Sequence, residues 1–327
     1  MRQLSCIVVF VSMIGTDAFA GVRKIHPGVS PITSTATVDP RESAGLFVGI
    51  RDFNDETLTA VKYAVDDAVD LAFELAVERR PPLLQPARVA LALSGEPQKR
   101  QSQEKLKTLL AAGATRHSAD QSEILNLLRR QSGLGKNGLV VVAFATHGIS
   151  EDGAQYLLAA TSLLDYRETM LTEGRICDVV SSSGAERSLI LIDACRERLT
   201  PDRRNPEVDP RSVAGFLAAL SSVDGQAVLS AAAAGGYAYD DDIRHNGVFT
   251  SAVIDGLKCG AGHDGRGFVT VDALATFVEE QVLTWIRAHK NPEARKATQA
   301  RYEGHSKMMP LAICVTRSGL ASERRPE

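Results

Sequence analysis

The chain carries a histidine and a cysteine in matching sequence settings. Residues 139–145 are almost wholly apolar and run into Thr146-His147-Gly148; residues 189–192 are equally apolar and run into Asp193-Ala194-Cys195-Arg196. Each run reads as a strand covered on both faces. In a parallel α/β sheet, ligands bind beyond the carboxyl ends of the strands. If the two strands are neighbours, His147 and Cys195, 48 residues apart, stand at one edge of the sheet. Taken singly, a histidine at a strand end and a cysteine in apolar company are ordinary structural material. Together they fit nucleophilic catalysis: a thiolate attacks a carbonyl carbon, and an imidazole handles the protons of the thiol and of the leaving amine. Gly148 lets a backbone N–H approach an oxyanion closely.

The elements that must hold this pair alternate between strand and helix. Strands are predicted at 46–50, 88–93, 139–145, 189–192, 227–231 and 309–315. Helices are predicted over 60–77, from Ser118 onward, and over 168–180, 249–257 and 271–288. Pro81-Pro82 stops the first helix. Ser118-x-x-Gln121 fits a capping box for the second, with Ile124, Leu125, Leu127 and Leu128 inward. The alternation argues for an α/β fold with a mainly parallel six-stranded sheet between helical layers. No dinucleotide fingerprint follows the first strand, no Walker sequence is present, and no Gly-x-Ser-x-Gly elbow supports an unrelated α/β hydrolase.

Composition narrows the function. The chain has 327 residues, 37 Lys+Arg against 40 Asp+Glu, and a net charge of −3. That balance argues against a nucleic-acid binder driven by bulk charge. With 44% hydrophobic and 24% charged residues, the chain is neither disordered as a whole nor a multi-span membrane protein. Residues 1–20 read as a secretory signal peptide: Arg2, an apolar run over 4–14, and Ala18-Phe19-Ala20 as the cleavage pattern. The expected organisation is that signal, a Ser/Thr/Pro-rich lead-in over 21–43, a catalytic domain over 44–317 and a polar tail over 318–327. The mature protein is expected to be secreted or periplasmic, without an integral membrane span.

In several segments the sequence resembles the caspase superfamily of cysteine peptidases, on its bacterial metacaspase-like side. Residues 45–53, Gly-Leu-Phe-Val-Gly-Ile-Arg-Asp-Phe, resemble that family's first strand, and Leu58 to Ala68, with Asp66-Asp67-Ala68, its first helix. Phe144 to Gly148 resembles the histidine motif, and Leu191 to Arg196 the cysteine motif. Asn246 to Val253 and Gly267 to Leu274 resemble two later segments, all in the family's order. A histidine about 50 residues upstream of Ala-Cys-Arg is a caspase spacing. The resemblance implies a caspase-like α/β/α sandwich and an endopeptidase with a Cys195/His147 dyad. It implies oxyanion donors at the backbone N–H groups of Gly148 and Cys195, and protein or peptide substrates.

It also bears on the residue cut after. Metacaspases line the P1 pocket with acids and cleave after Arg or Lys. Asp67 matches the acid of the family's first-helix motif, Asp193 a second pocket acid, and Asp202 a third in a loosely aligned loop. Convergent carboxylates are what a guanidinium requires. Two departures concern the pocket: Ala145-Thr146-His147-Gly148 stands where metacaspases often have Ser-Gly-His-Gly, and Arg196-Glu197-Arg198 where they often have His-Ser-Gly.

Residues 196–211, with three prolines and Arg198, Arg203, Arg204 and Arg211, read as an exposed loop where self-cleavage would fall. No cofactor is expected. Asp240-Asp241-Asp242 leaves calcium activation open, since a hard cation binds clustered carboxylates, though such a run also reads as a solvated face. No Cys/His spacing suggests zinc. Of the cysteines left after signal removal, Cys259 with Cys314 is one candidate pair for oxidation, but sequence does not give connectivity. The competing reading is a catalytically silent caspase-like scaffold or partner-binding domain.

Overall fold

The computed structural model describes residues 38–131, 134–151, 154–172, 175–176, 179–180, 182–183, 185–195, 225–231, 238–264, 267–290, 301–304 and 309–313. The expected signal and nearly all of the expected lead-in, Asp202, residues 196–211, Cys177, Cys314 and residues 318–327 lie outside these residues.

Six parallel strands form the middle of the main sheet: β1 (Ala44–Ile50), β2 (Val89–Ser94), β3 (Thr115–Ser118), β4 (Leu139–Glu151), β7 (Arg187–Cys195) and β8 (Gln226–Ser230). Their spatial order is β8-β7-β4-β1-β2-β3. The antiparallel β12 (Arg301–Gly304) extends the β8 edge, and β5 (Ala154–Leu157) and β6 (Leu171–Thr172) continue antiparallel from the far end of β4. From β1 the chain first adds strands on one side, β2 then β3. It then crosses back to add β4, β7 and β8 on the other. The switch in direction lies between β1 and β4, and the crevice at the carboxyl ends there is where such sheets take ligands.

The inner strands β1, β4, β7 and β8 are mostly apolar because both faces are covered, whereas the edge strand β3 is polar. Alternate residues of β1 feed two cores: Phe47 packs with helix α1 (Ala64–Phe73), helix α4 (Val248–Asp255) and helix α5 (Val271–His289), whereas Leu46, Val48 and Ile50 pack with helix α3 (Gln121–Arg130). Helix α2 (Arg100–Ala111) adds Leu106 and Leu109 to the first core. α1 ends in a π-helical turn, Glu74–Glu78, and α4 in another, Gly256–Gly260. A two-stranded ribbon, β9 (Asp240–Asp241) with β10 (Asn246–Gly247), leads into α4. Among the described residues no helix is long and apolar enough to cross a membrane.

Three sequence-based expectations are corrected, and one helix was not foreseen. Ser118 does not cap a helix: Thr115–Ser118 pairs parallel with β2 as an edge strand, α3 starts at Gln121, and the Ser118 hydroxyl donates to Asp120 Oδ2 at 2.8 Å. The start of the 168–180 helix is instead a 3₁₀ turn, Arg167–Thr169, and strand β6; the Gln121 side chain donates to the Glu168 and Met170 carbonyls, holding that backbone off helical bonding. The 309–315 strand, observed as β13 (Pro310–Ile313), pairs with β11 (Phe268–Thr270) rather than joining the main sheet, so β3 is the sixth parallel strand. α2 has no counterpart in the prediction because only Ser102, Leu106 and Leu109 of its twelve residues are buried.

Candidate active site

β4 and β7 are adjacent and parallel, and their register pairs Ala145 with Asp193, Thr146 with Ala194 and His147 with Cys195. His147 and Cys195 therefore occupy one rung of the ladder at the carboxyl ends of neighbouring strands, which run about 4.8 Å apart. Gly148 follows on β4, where the strand leaves β7 and pairs with Leu157 of β5. Two bonds fix the histidine's backbone: Leu158 N–H donates to the His147 carbonyl at 2.9 Å, and the Thr146 hydroxyl donates to the Leu158 carbonyl at 2.8 Å.

His147 is only 3% exposed. Its Nε2 lies 2.7 Å from the Thr59 backbone carbonyl. A carbonyl only accepts, so Nε2 carries the hydrogen, and Nδ1 is the nitrogen that accepts a proton in the neutral ring. Phe53 stacks on the imidazole, ring centroids 5.1 Å apart and 25° from parallel. Both positioning groups come from the 51–63 stretch between β1 and α1. Neither was recognised from sequence: Phe53 carries no chemical signal there, and a backbone carbonyl carries none at all.

Asp67 and Asp193 converge although they come from different elements, α1 and β7. Each is more than nine-tenths buried. Gly247 N–H donates to both oxygens of Asp67, at 2.9 and 3.1 Å, and Asn246 Nδ2 donates to Asp67 Oδ1 at 2.8 Å. The Thr250 hydroxyl and N–H donate to Asp193 Oδ2 at 2.7 and 3.2 Å. Gly247 sits between the two acids: a Cβ there would collide with Asp193 Oδ2 and stand 3.0 Å from Asp67 Oδ2. Below the pair remains a cavity of only about 10 Å³ with an almost wholly apolar lining.

Burial, then the neighbouring Asp193 carboxylate, pushes Asp67 well above the ordinary carboxylate range; the bonds from Asn246 and Gly247 offset part of this. Burial and Asp240 push Asp193 up to about 6, against the opposing Thr250 bonds. No cation among the described side chains bonds either carboxylate. Asp70, one turn along α1, contrasts with them. Burial would raise it too, but Lys99 and Lys105 outweigh burial and hold it below its ordinary value.

The run 240–242 is divided among different partners. Asp240 faces the acid pair electrostatically, Asp241 accepts from the Ile243 and Arg244 amides and from Trp285 Nε1, and Asp242 bonds Lys62 and Tyr63. Among the described residues no group of three or more His, Cys, Asp and Glu side chains is arranged to hold a metal.

A mainly parallel sheet with a histidine and a cysteine on one rung at its switch-point crevice defines an α/β protein whose candidate site lies at strand ends. The caspase-domain family model, peptidase C14, matches residues 97–310, so the chain belongs to the caspase-domain family of cysteine endopeptidases. Its fold is similar to the crystal structure of caspase-1 from Spodoptera frugiperda, with a TM-score of 0.52 over 89% of this chain and 97% of that one, at 12% identity. No curated protein sequence matches the chain.

Proposed function

We propose that the protein is a cysteine endopeptidase that uses Cys195 and His147 and cleaves after arginine or lysine. The observation that carries this reading is the shared rung of His147 and Cys195 at the ends of β4 and β7. The Cys195 thiolate attacks the scissile carbonyl carbon. The backbone N–H groups of Gly148 and Cys195 receive the oxyanion. His147, its Nε2 hydrogen committed to Thr59, moves protons through Nδ1 and protonates the leaving amine as the C–N bond breaks. Water then hydrolyses the thioester and frees the thiol. Asp67 and Asp193 are the acids for a basic P1 side chain: two carboxylates converge with no cation of the described residues between them, and a guanidinium binds such a pair through paired charge-assisted bonds.

The test is cleavage of matched fluorogenic peptides ending in Arg, Lys or Asp, with and without calcium, by protein starting at Gly21. Cleavage after Arg or Lys, lost in Cys195→Ala and in His147→Ala, is the expected result. Cleavage after Asp keeps the dyad and discards the pocket assignment. No cleavage, with Cys195 inert to iodoacetamide, leaves the silent scaffold as the function. The intact masses of wild-type and Cys195→Ala protein test self-cleavage within 196–211 in the same preparations; equal masses rule it out.

A further inference from the structure

Three acids of α1, Asp66, Asp67 and Asp70, are all buried, and each has a different task. Asp66 accepts the amides of Gln98 and Lys99, at 2.9 and 2.8 Å, and so anchors the chain entering α2. Asp70 accepts from the ammonium groups of Lys99 and Lys105 and from the Ser102 hydroxyl. Asp67 belongs to the acid pair. One side chain joins the last two: Asn246 Nδ2 donates to Asp67 Oδ1 at 2.8 Å and to Asp70 Oδ2 at 3.2 Å.

The other end of Asn246 is held as well. Its Oδ1 accepts from the Lys99 ammonium. An ammonium only donates and a carboxylate only accepts, so the amide fits between them in one orientation. Lys99 is partly buried, its side chain 15% exposed, and it bonds both Asp70 and Asn246, whereas Lys105 bonds Asp70 but not Asn246.

We propose that Lys99 is a positioning residue for P1 recognition: by holding Asn246 Oδ1 it aims the Nδ2 hydrogens at Asp67 and fixes that carboxylate beside Asp193. This rests on the basic-P1 reading above. Without Lys99, Asn246 Oδ1 loses its cationic partner, and the amide is held only by its Nδ2 bonds to Asp67 and Asp70, so its aim at Asp67 loosens. Cys195 and His147 lie outside this relay, so the chemical step is left alone.

The experiment compares Lys99→Met, Lys105→Met, Asn246→Ala and the Lys99→Met/Asn246→Ala double variant on an Arg-ended fluorogenic peptide, with Asp67→Asn as the reference for loss of the pocket. Lys99→Met is expected to raise KM about tenfold, the size of one lost hydrogen bond to a charged group. Its kcat is expected to stay within about twofold of wild type, as does iodoacetamide labelling of Cys195. Lys99→Arg restores most of the KM. Lys105→Met leaves KM near wild type, because Asp70 keeps Lys99. The double variant is no worse than Asn246→Ala, since both lesions cut one relay. Equal effects of Lys99→Met and Lys105→Met, or additive effects in the double variant, overturn the proposal. If Lys99→Met does not fold by thermal melting, Lys99→Gln takes its place in the cycle. If Asp67→Asn binds the Arg peptide as well as wild type, the basic-P1 reading fails first, and that outcome is distinct from a flat Lys99 series.

Discussion

At the residue scale, the buried acid pair departs from the chemistry of free side chains. Burial leaves Asp193 with a carboxyl near 6 and Asp67 higher than its ordinary range. On the proposed basic-P1 reading a P1 cation binds the ionised pair, so KM for Arg peptides is expected to rise as pH falls through about 6, while the KM of an uncharged P1 analogue stays flat. A pH series of KM on the two peptides checks this. The same shift acts on stability with a definite sign. Between the unfolded value of 3.8 and the folded value of about 6, the native state holds the proton that the unfolded chain has released. Stability therefore falls as pH rises through that window. Asp193→Asn keeps an oxygen for the Thr250 donors and removes the charge. It is expected to stabilise the protein by about 1–3 kcal/mol at pH 8 and by nothing measurable at pH 4, read from urea unfolding at both values. His147 is positioned differently, by the Thr59 carbonyl and the Phe53 ring. Phe53→Ala removes the stacked face and is expected to lower kcat about tenfold with little change in KM, measured on the same Arg peptide.

At the element scale, the site depends on α1 lying close against β1. A Cβ at Gly49 would stand 2.5 Å from the Ala64 carbonyl and 2.9 Å from Ala68 Cβ, so only glycine lets the helix settle there and bring Asp67 to Asp193. Gly49→Ala is expected to cost about 1–3 kcal/mol by overpacking and to raise KM for Arg peptides, because α1 must shift. Urea unfolding with peptide kinetics separates the two effects. These elements show what sequence could and could not disclose. β1, β2, β4, β7 and β8 were legible because strands covered on both faces read as continuous apolar runs. β3, Thr-Arg-His-Ser, is polar and four residues long, and its pairing with β2 is what makes it a strand. α2 escaped because two leucines make a thin apolar stripe. The strand ends that bear His147 and Cys195 were legible through motif and apolar run together. Asn246, Thr250 and Lys99 gained no role from sequence: their partners lie 179, 57 and 147 residues away, and only packing brings them together.

At the scale of the whole molecule, the candidate site is assembled from both arms of the sheet and from α4, whose two ends do different work. Its first turn, with Gly247 and Thr250, holds the acids. Its far end runs into the π-helical turn that packs against β11 and β13 and contains Cys259. Cys259 is disulfide-bonded, and its partner is not among the residues whose side chains are described. That bond ties down the end of α4 opposite the acid pair; disulfides form and persist in oxidising compartments, which is where the proposed signal at residues 1–20 would take the protein. Protein beginning at Gly21 has four cysteines, Cys177, Cys195, Cys259 and Cys314. With one disulfide, thiol titration of denatured, unreduced protein is expected to give two free thiols, and Cys195→Ala one. Four free thiols would remove the disulfide. Cys259→Ser, which cannot form the bond, is expected to lose about 2–4 kcal/mol of stability in urea unfolding. Its kcat on Arg peptides at 25 °C is expected to match wild type, because α4 keeps its contacts to the acids while the domain stays folded. A fall in kcat without a fall in stability would mean that the disulfide acts on the site itself, rather than on the helix that carries it.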